Sequence, residues 1–272
     1  MPELPEVETV RQMLEPAMLG ARFRRVVVNR PNLRIPFPDR FVERLRGQTV
    51  RAVSRRGKYL TVELSSGETL IMHLGMSGWF HVARIADRTR EPDPHDHVAF
   101  VMSSGQTVLF NDPRRFGFMD LAPAGRFAEY PALSVMGPEP LSGDFDAASL
   151  ARACRGRQIS LKVALLDQRV VAGLGNIYAS EALHHARLSP LRKAATIATT
   201  TGRPKPAAVR LGKSIKAVLA SAIRRRESPY GSARFRVYER DGLKCLRAGC
   251  GGIIRRIWQA GRSTFYCPKC QR

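Results

Sequence analysis

Long apolar runs, acidic residues and aromatics are all scarce in this chain. No stretch of its 272 residues approaches the ~20 consecutive apolar positions that a membrane-spanning helix needs, and no secretory apolar segment follows Met1. Aspartate and glutamate number 23 against 45 lysines and arginines, a formal charge of +22. That excess argues for a polyanionic partner, with a solubilising surface or a site for another acidic partner as the alternatives. Cysteines number only five, and Cys154 stands apart from the other four. This excludes a secreted disulfide framework and points to the cytoplasm. Hydrophobic residues still make up 44%, too many for a disordered basic tail. The class left is a cytoplasmic polyanion-binding protein with real cores.

The positive charge is concentrated towards the end. Residues 210–272 hold 16 Lys and Arg but only Glu227, Glu239 and Asp241 as acids. Such a field attracts nucleic acid and speeds encounter with it. The first ~130 residues read mainly as strands: Phe23 to Val28, Lys58 to Leu64, Thr69 to Leu74, His97 to Met102 and Thr107 to Phe110. Ser65-Ser66-Gly67-Glu68 and Ser103-Ser104-Gly105-Gln106 are turns between them, so hairpins within a β-sandwich are predicted. Ahead of these strands, Glu6 to Gly20 reads as a helix with Val7, Val10, Leu14 and Met18 on one face, although Pro16 is a local objection. Prolines and glycines between 131 and 146 mark a domain boundary. Later, Leu211, Ile215, Leu219 and Ala222 give a helix face, and Pro206 suits its first turn.

Cys245 and Cys250 are separated by four residues, and Cys267 and Cys270 by two. Two local thiol pairs suit tetrahedral zinc, which would supply folding energy to a module too small for its own core. With all four thiolates used, no coordination position is left for substrate, so the metal is structural. Cys154 falls in a helical pattern and reads as a buried, inert thiol. Arg255, Arg256 and Arg262 lie beside the metal. Arg262, between Gly261 and Ser263, is the best placed to meet phosphate, although a solvated arginine at a hairpin tip would look the same.

Pro2 stands directly behind the initiator. Removal of Met1 would expose a secondary amine with a reference pKa near 8, partly neutral at pH 7. Such an amine can form an iminium with an aldehydic carbon, the electron sink for eliminating a neighbouring phosphate. On its own, a proline at this position is also simply a terminal residue. Met76 and Phe116, read unaided, are core residues.

Several motifs occur in order: Pro2-Glu3-Leu4-Pro5-Glu6-Val7-Glu8-Thr9, Gly57-Lys58-Tyr59-Leu60, His73-Leu74-Gly75-Met76-Ser77-Gly78 and His95-Asp96-His97. Asp112-Pro113-Arg114-Arg115-Phe116-Gly117, the run Gly173 to Glu181, and Gly261 to Cys270 complete the set. Over nearly its whole length the chain resembles the bacterial formamidopyrimidine-DNA glycosylases, bifunctional base-excision enzymes that remove oxidised purines. The resemblance implies an α+β multidomain fold: an N-terminal β-sandwich with its helix (1–132), a linker (133–147), a helix–two-turn–helix domain (148–230) and a zinc ribbon (231–272). DNA would bind in the cleft between the two halves. The resemblance makes Pro2 the nucleophile at C1′ and Glu3 the general acid and base, with β,δ-elimination to follow. Lys58 would hold phosphate near the lesion, while Asn176 and Arg262 clamp the backbone. Met76, Arg114 and Phe116 would fill the gap left by the flipped nucleotide, Arg114 also bonding the orphaned base. His95, Arg115 and Lys162 are further phosphate candidates, and His97 has an equally good structural role. One structural zinc ion, no catalytic metal or organic cofactor, damaged double-stranded DNA as partner, and a monomer without membrane association or obligate protein partner complete the expectation.

Two departures from the family pattern stand out. Many relatives have two residues, not four, between the first cysteines. Between a helix ending near Ile223 and a strand expected over Phe235 to Tyr238, the segment from Arg224 to Arg234 is also roughly a dozen residues shorter than the loop that closes over the everted purine in the family. That leaves four readings beside 8-oxoguanine: a formamidopyrimidine preference, an oxidised-pyrimidine preference, abasic-site cleavage, and, from a different class, a non-catalytic zinc-ribbon DNA-binding protein. Intact Pro2 and Glu3 argue against the last.

Overall fold

A computed structural model of the chain describes residues 1–84, 93–225 and 235–272. Two compact units divide it: Met1–Pro2 with Glu6–Ser134, and Glu3–Pro5 with Val135–Arg272.

The first unit contains α1 (Leu4–Met18) from Glu6 onward, β1 (Phe23–Val28), α2 (Phe41–Leu45), β2 (Val50–Arg56), β3 (Tyr59–Leu64), β4 (Thr69–His73), β5 (Trp79–Arg84), β6 (Asp96–Met102), β7 (Gln106–Asn111), β8 (Phe118–Ala122) and the single turn α3 (Pro131–Ser134). Two four-stranded antiparallel sheets, ordered β1-β6-β7-β5 and β2-β3-β4-β8, form the sandwich. Both expected hairpins are present, β3–β4 around Gly67 and β6–β7 around Gly105. Phe23, Phe80, Phe100 and Phe110 from one sheet share a buried cluster with Leu60, Val62, Leu70 and Met72 from the other. Val7, Val10, Leu14 and Met18 of α1 join that cluster, as their spacing requires. Pro16 lies inside α1, two residues before its end, where it costs the helix one backbone hydrogen bond. Strands β2, β5 and β8 are absent from the sequence expectation. The first, Val-Arg-Ala-Val-Ser-Arg-Arg, buries only Val50 and Val53, so its apolar signal is thin.

Two loops of this unit interlock. Gly75 has φ +64°, and a Cβ there would lie 2.3 Å from the carbonyl carbon of Phe116. Asp112, fully buried, accepts from Ser77 Oγ at 2.6 Å and from the Gly117 amide at 2.8 Å. Its own carbonyl lies 2.9 Å from His97 Nε2. One carboxylate therefore fixes both the Met76 turn and the Arg114–Phe116 turn.

The second unit contains α4 (Ala147–Cys154), α5 (Leu161–Leu166), α6 (Asn176–Ala186), α7 (Pro206–Arg225), β9 (Arg255–Gln259) and β10 (Arg262–Tyr266). Helix α4 opens with a reciprocal cap between Asp146 and Ser149. Leu150, Leu165, Leu183, Leu211, Ile215 and Leu219 belong to a continuous helical core. Cys154 is buried within it, and burial pushes its thiol up to about 11, as an inert thiol requires. Helix α7 starts at Pro206 and turns Leu211, Ile215, Leu219 and Ala222 inward, in keeping with the sequence pattern. Gln259 pairs with Arg262 across a tight turn at Ala260-Gly261, both at positive φ. Phe235 to Tyr238 forms no strand, contrary to the expectation. The amides of Arg236, Val237 and Tyr238 all donate to the buried Glu181 carboxylate, at 2.9, 2.8 and 3.0 Å, which leaves no ladder for them to join. The shortened segment falls largely on residues 226–234, outside the described residues.

Replacing Asp112 with Ala orphans the Gly117 amide and the Ser77 hydroxyl. A loss of about 2–4 kcal/mol in unfolding free energy is expected, measured by urea titration, whereas Arg114→Ala, on an exposed side chain, should leave stability within about 0.5 kcal/mol.

Candidate active site

Helix α6 begins at Asn176, and its opening amides have no carbonyl within the helix to pair with. Glu3 fills that place. Its Oε2 accepts from Gly175 N at 2.9 Å and Tyr178 N at 3.3 Å, and its Oε1 accepts from Ile177 N at 2.8 Å. Gly175 is extended (φ −128°, ψ −161°), so it needs no glycine for backbone reasons. Its glycine makes room instead: a Cβ would lie 2.3 Å from Glu3 Cδ. Gly173, at φ +76°, does the same for Leu4, whose amide donates to the Gly173 carbonyl at 3.1 Å. The Gly173-Leu174-Gly175 run thus exists to admit residues 3 and 4. Gln168 braces it, accepting from the Gly173 amide and donating to the Leu174 carbonyl.

The Asn176 side chain is held from two sides. Lys162 Nζ of α5 donates to its Oδ1 at 2.5 Å, and its Nδ2 donates to the Ser263 carbonyl at 3.0 Å. Ser263 follows Arg262, which is exposed at the start of β10, so the candidate backbone clamp is one connected piece. Lys162 departs from the sequence expectation. It has no exposed surface, and its ammonium is engaged by Asn176 and the Ser263 carbonyl, so it supports the clamp from within and does not present itself to phosphate. Burial and the Arg262 charge pull Lys162 down to about 8, with Glu3 acting in the opposite sense. Sequence reasoning missed Tyr238, whose hydroxyl meets Asn176 and whose phenol is pushed up chiefly by burial. It missed the role of Glu181 as well. The available signal was an acid three residues after Tyr178, on the apolar side of a helix.

In the first unit, Lys58 is buried at the β2–β3 turn. Lys58 and Arg34 are close enough to His73 to disfavour its charge. Burial is the larger cause, and together they lower His73 to about 4. The neutral ring accepts the Gly75 amide on Nδ1 at 3.0 Å, fixing the turn that carries Met76. Met76, Arg114, Arg115 and Phe116 are exposed, with the Arg114 guanidinium 4.7 Å from the Phe116 ring centre. Apolar residues left in water beside a cation differ from the core role that unaided reading gives Met76 and Phe116. His95 is also exposed, whereas His97 is buried against Asp112. Pro2 is buried, with Met1 in front of it.

The four paired cysteines form the metal centre. Their Sγ atoms lie within 4.8 Å of one another, with Cys250–Cys267 at 3.6 Å and Cys245–Cys270 at 3.9 Å. Zinc–sulfur bonds of about 2.3 Å in a tetrahedron place sulfurs about 3.8 Å apart, so the residues fit a structural zinc ion. Gly252 is needed where the sulfurs converge, since a Cβ there would meet Cys267 Sγ at 2.7 Å. Among the described residues no other group of three or more His, Cys, Asp or Glu could hold a metal, and no helix is long and apolar enough to cross a membrane.

Comparison with known proteins accounts for this arrangement. Residues 1–119 match the formamidopyrimidine-DNA glycosylase N-terminal domain, 136–232 the helix–two-turn–helix domain of the same enzymes, and 242–272 the zinc finger found in them and in isoleucyl-tRNA synthetases. A formamidopyrimidine-DNA glycosylase of Bradyrhizobium sp. (strain BTAi1 / ATCC BAA-1182) is 52% identical over 293 aligned positions, covering all of both chains. A solved complex of the glycosylase MutM with DNA containing carbocyclic 8-oxo-G is 32% identical, with a TM-score of 0.87 over all of both chains. The Lactococcus lactis enzyme bound non-covalently to abasic-site DNA is 32% identical, with a TM-score of 0.86 over 99% of each chain. The chain belongs to the formamidopyrimidine-DNA glycosylase family. It is a DNA glycosylase with abasic-site lyase activity.

The Lys162 ammonium makes a charge-assisted bond to Asn176 only while protonated, and that bond weakens above about pH 8. DNA affinity at fixed salt, read by fluorescence anisotropy from pH 7 to 9, is expected to fall through that value. Lys162→Met is expected to bind more weakly at pH 7 and to lose the inflection. Arg262 and Glu3, the charged groups facing Lys162, and Tyr238 beside Asn176 are the same residues in both proteins compared.

Proposed function

We propose that this glycosylase and lyase removes formamidopyrimidines and 8-oxoguanine from double-stranded DNA through a Schiff base on Pro2. The observation that carries the reading is the Glu3 carboxylate, immobilised by three backbone donors in the residue directly after the candidate nucleophile. A carboxylate fixed beside an amine is placed for repeated proton transfers at one carbon. With Met1 attached the Pro2 nitrogen is an amide and has no nucleophilic lone pair. Once Met1 is removed it is a secondary amine, with an ordinary pKa of about 8.

The amine attacks C1′ of the damaged nucleotide, the bond from C1′ to the base breaks, and the base leaves carrying a proton. Glu3 delivers and recovers protons at the sugar as the ring opens, leaving an iminium between Pro2 and C1′. That iminium takes up the electron pair of the C2′–H bond. The proton leaves C2′, the C3′–O bond breaks and the 3′ phosphate departs. A second elimination, with loss of a proton from C4′ and breakage of the C5′–O bond, releases the 5′ phosphate. No metal enters these steps.

Lys58 holds a phosphate near the lesion. Asn176 and Arg262 grip the backbone around the everted nucleotide, with Tyr238 beside Asn176. His95 and Arg115 add phosphate contacts. Met76, Arg114 and Phe116 occupy the space the nucleotide leaves, offsetting part of the few kcal/mol that unstacking costs. The exposed Arg114–Phe116 pair supports this assignment, and relatives solved on 8-oxo-G and abasic-site DNA support the substrate class. The protein works as a monomer in the bacterial cytoplasm, without an obligate protein partner.

Borohydride trapping tests the reading on duplexes carrying 8-oxoguanine, a formamidopyrimidine, an oxidised pyrimidine or an abasic site, with intact mass to locate the first residue. Covalent adducts through Pro2 on both purine lesions are expected, persisting through a short assay in EDTA. Adducts on the abasic duplex alone would remove oxidised-purine excision from the account. That arm carries the alternative raised by the shortened segment. No adduct on any duplex, despite a free Pro2, would sink the Schiff base.

A further inference from the structure

The last turn of α6 carries two histidines with different surroundings. His185 is exposed, and its Nδ1 lies 2.9 Å from Ser214 Oγ of α7. His184 is fully buried, and its Nε2 lies 3.3 Å from Sγ of Cys245, one of the four metal ligands. Its Nδ1 has no partner among the described residues. The knuckle answers from the other side. Arg247, within the four residues separating Cys245 from Cys250, donates Nη2 to the His184 carbonyl at 2.6 Å. The knuckle thus supplies an arginine to the C-terminal end of α6, where carbonyls favour a cation.

Four thiolates around a divalent zinc carry a net charge of −2, and buried charge is tolerated only where donors surround it. A metal-bound thiolate has no proton and can only accept. The contact with His184 is therefore favourable when Nε2 bears the hydrogen, and the same tautomer spares the interior an unpaired N–H at Nδ1. We propose that His184 is a positioning residue of the zinc site, donating Nε2–H to the Cys245 thiolate and fastening the metal knuckle to the helix that starts at Asn176. The inference rests on the cysteine geometry and is independent of which lesion the enzyme prefers.

The test compares the zinc-loaded wild type with His184→Phe, which fills the space without a donor, and His184→Gln, which keeps one. Zinc release to a chelator is followed with a metal-sensitive dye, and the cobalt(II)-substituted proteins are compared by absorption. His184→Phe is expected to release zinc about 10-fold faster or more, with His184→Gln between it and the wild type. Cobalt ligand-field bands should keep the four-thiolate pattern in all three, while the thiolate-to-metal charge-transfer band moves to lower energy in His184→Phe. Wild-type release and an unmoved charge-transfer band in His184→Phe would overturn the proposal. So would ligand-field bands in the wild type belonging to three sulfurs and one nitrogen, since His184 would then be a ligand. Should the variants fail to fold, long-range proton–nitrogen spectra of the wild-type zinc protein decide the matter. The Nε2–H tautomer with a bare Nδ1 is expected, and the Nδ1–H tautomer or a doubly protonated ring would contradict it.

Discussion

A helix begins with amide groups that its own carbonyls cannot reach, and the first of these in α6 are taken by one side chain from far away in sequence. Glu3 accepts from Gly175, Ile177 and Tyr178, a bond pattern that ties the third residue of the chain to the 175th. Much of the second unit's functional geometry follows from this helix. Asn176 is its first residue, Glu181 on its inner side collects the amides of Arg236 to Tyr238, and His184 at its far end meets the zinc knuckle. The proposed proton-transfer group, the proposed backbone clamp and the metal module therefore share eleven residues of secondary structure.

The first unit uses the same economy on a different scaffold. A buried carboxylate, Asp112, and a neutral ring, His73, fix two turns at the edge of a sandwich. The turns in return present Met76, Arg114 and Phe116 to solvent, which an isolated protein would not favour. Exposed apolar side chains on braced loops are stored contact surface, and in the proposed role DNA with a missing stack is the partner that uses it.

Much of this was legible in the sequence because the relevant signals are local. Cysteine spacing announces the metal, alternation and Ser-Gly turns announce the hairpins, and the apolar period of Leu211 to Ala222 announces α7. The motifs around Pro2, Asn176 and Arg262 carry the family. What stayed hidden depends on contacts distant in sequence. Lys162 reads as a surface cation until Asn176 and Ser263 are seen to enclose it. Phe235 to Tyr238 reads as a strand until Glu181 takes its amides. At Gly175 the backbone is ordinary and the missing side chain is the point, a need that shows only once Glu3 is seen against it. No period or composition encodes such pairings, because each joins segments that only the folded chain brings together.

The central claim is that Glu3 works from the position α6 gives it, and Gly175→Ala tests this without removing any functional group. The added methyl would lie 2.3 Å from Glu3 Cδ, displacing the carboxylate without touching Pro2 or the cysteines. Single-turnover excision from an 8-oxoguanine duplex is predicted to fall by about 100-fold or more, the scale of a lost general acid, with borohydride trapping of abasic DNA through Pro2 largely retained. Excision within a few-fold of the parent protein would contradict the account, since the carboxylate would then be acting from somewhere other than the start of α6.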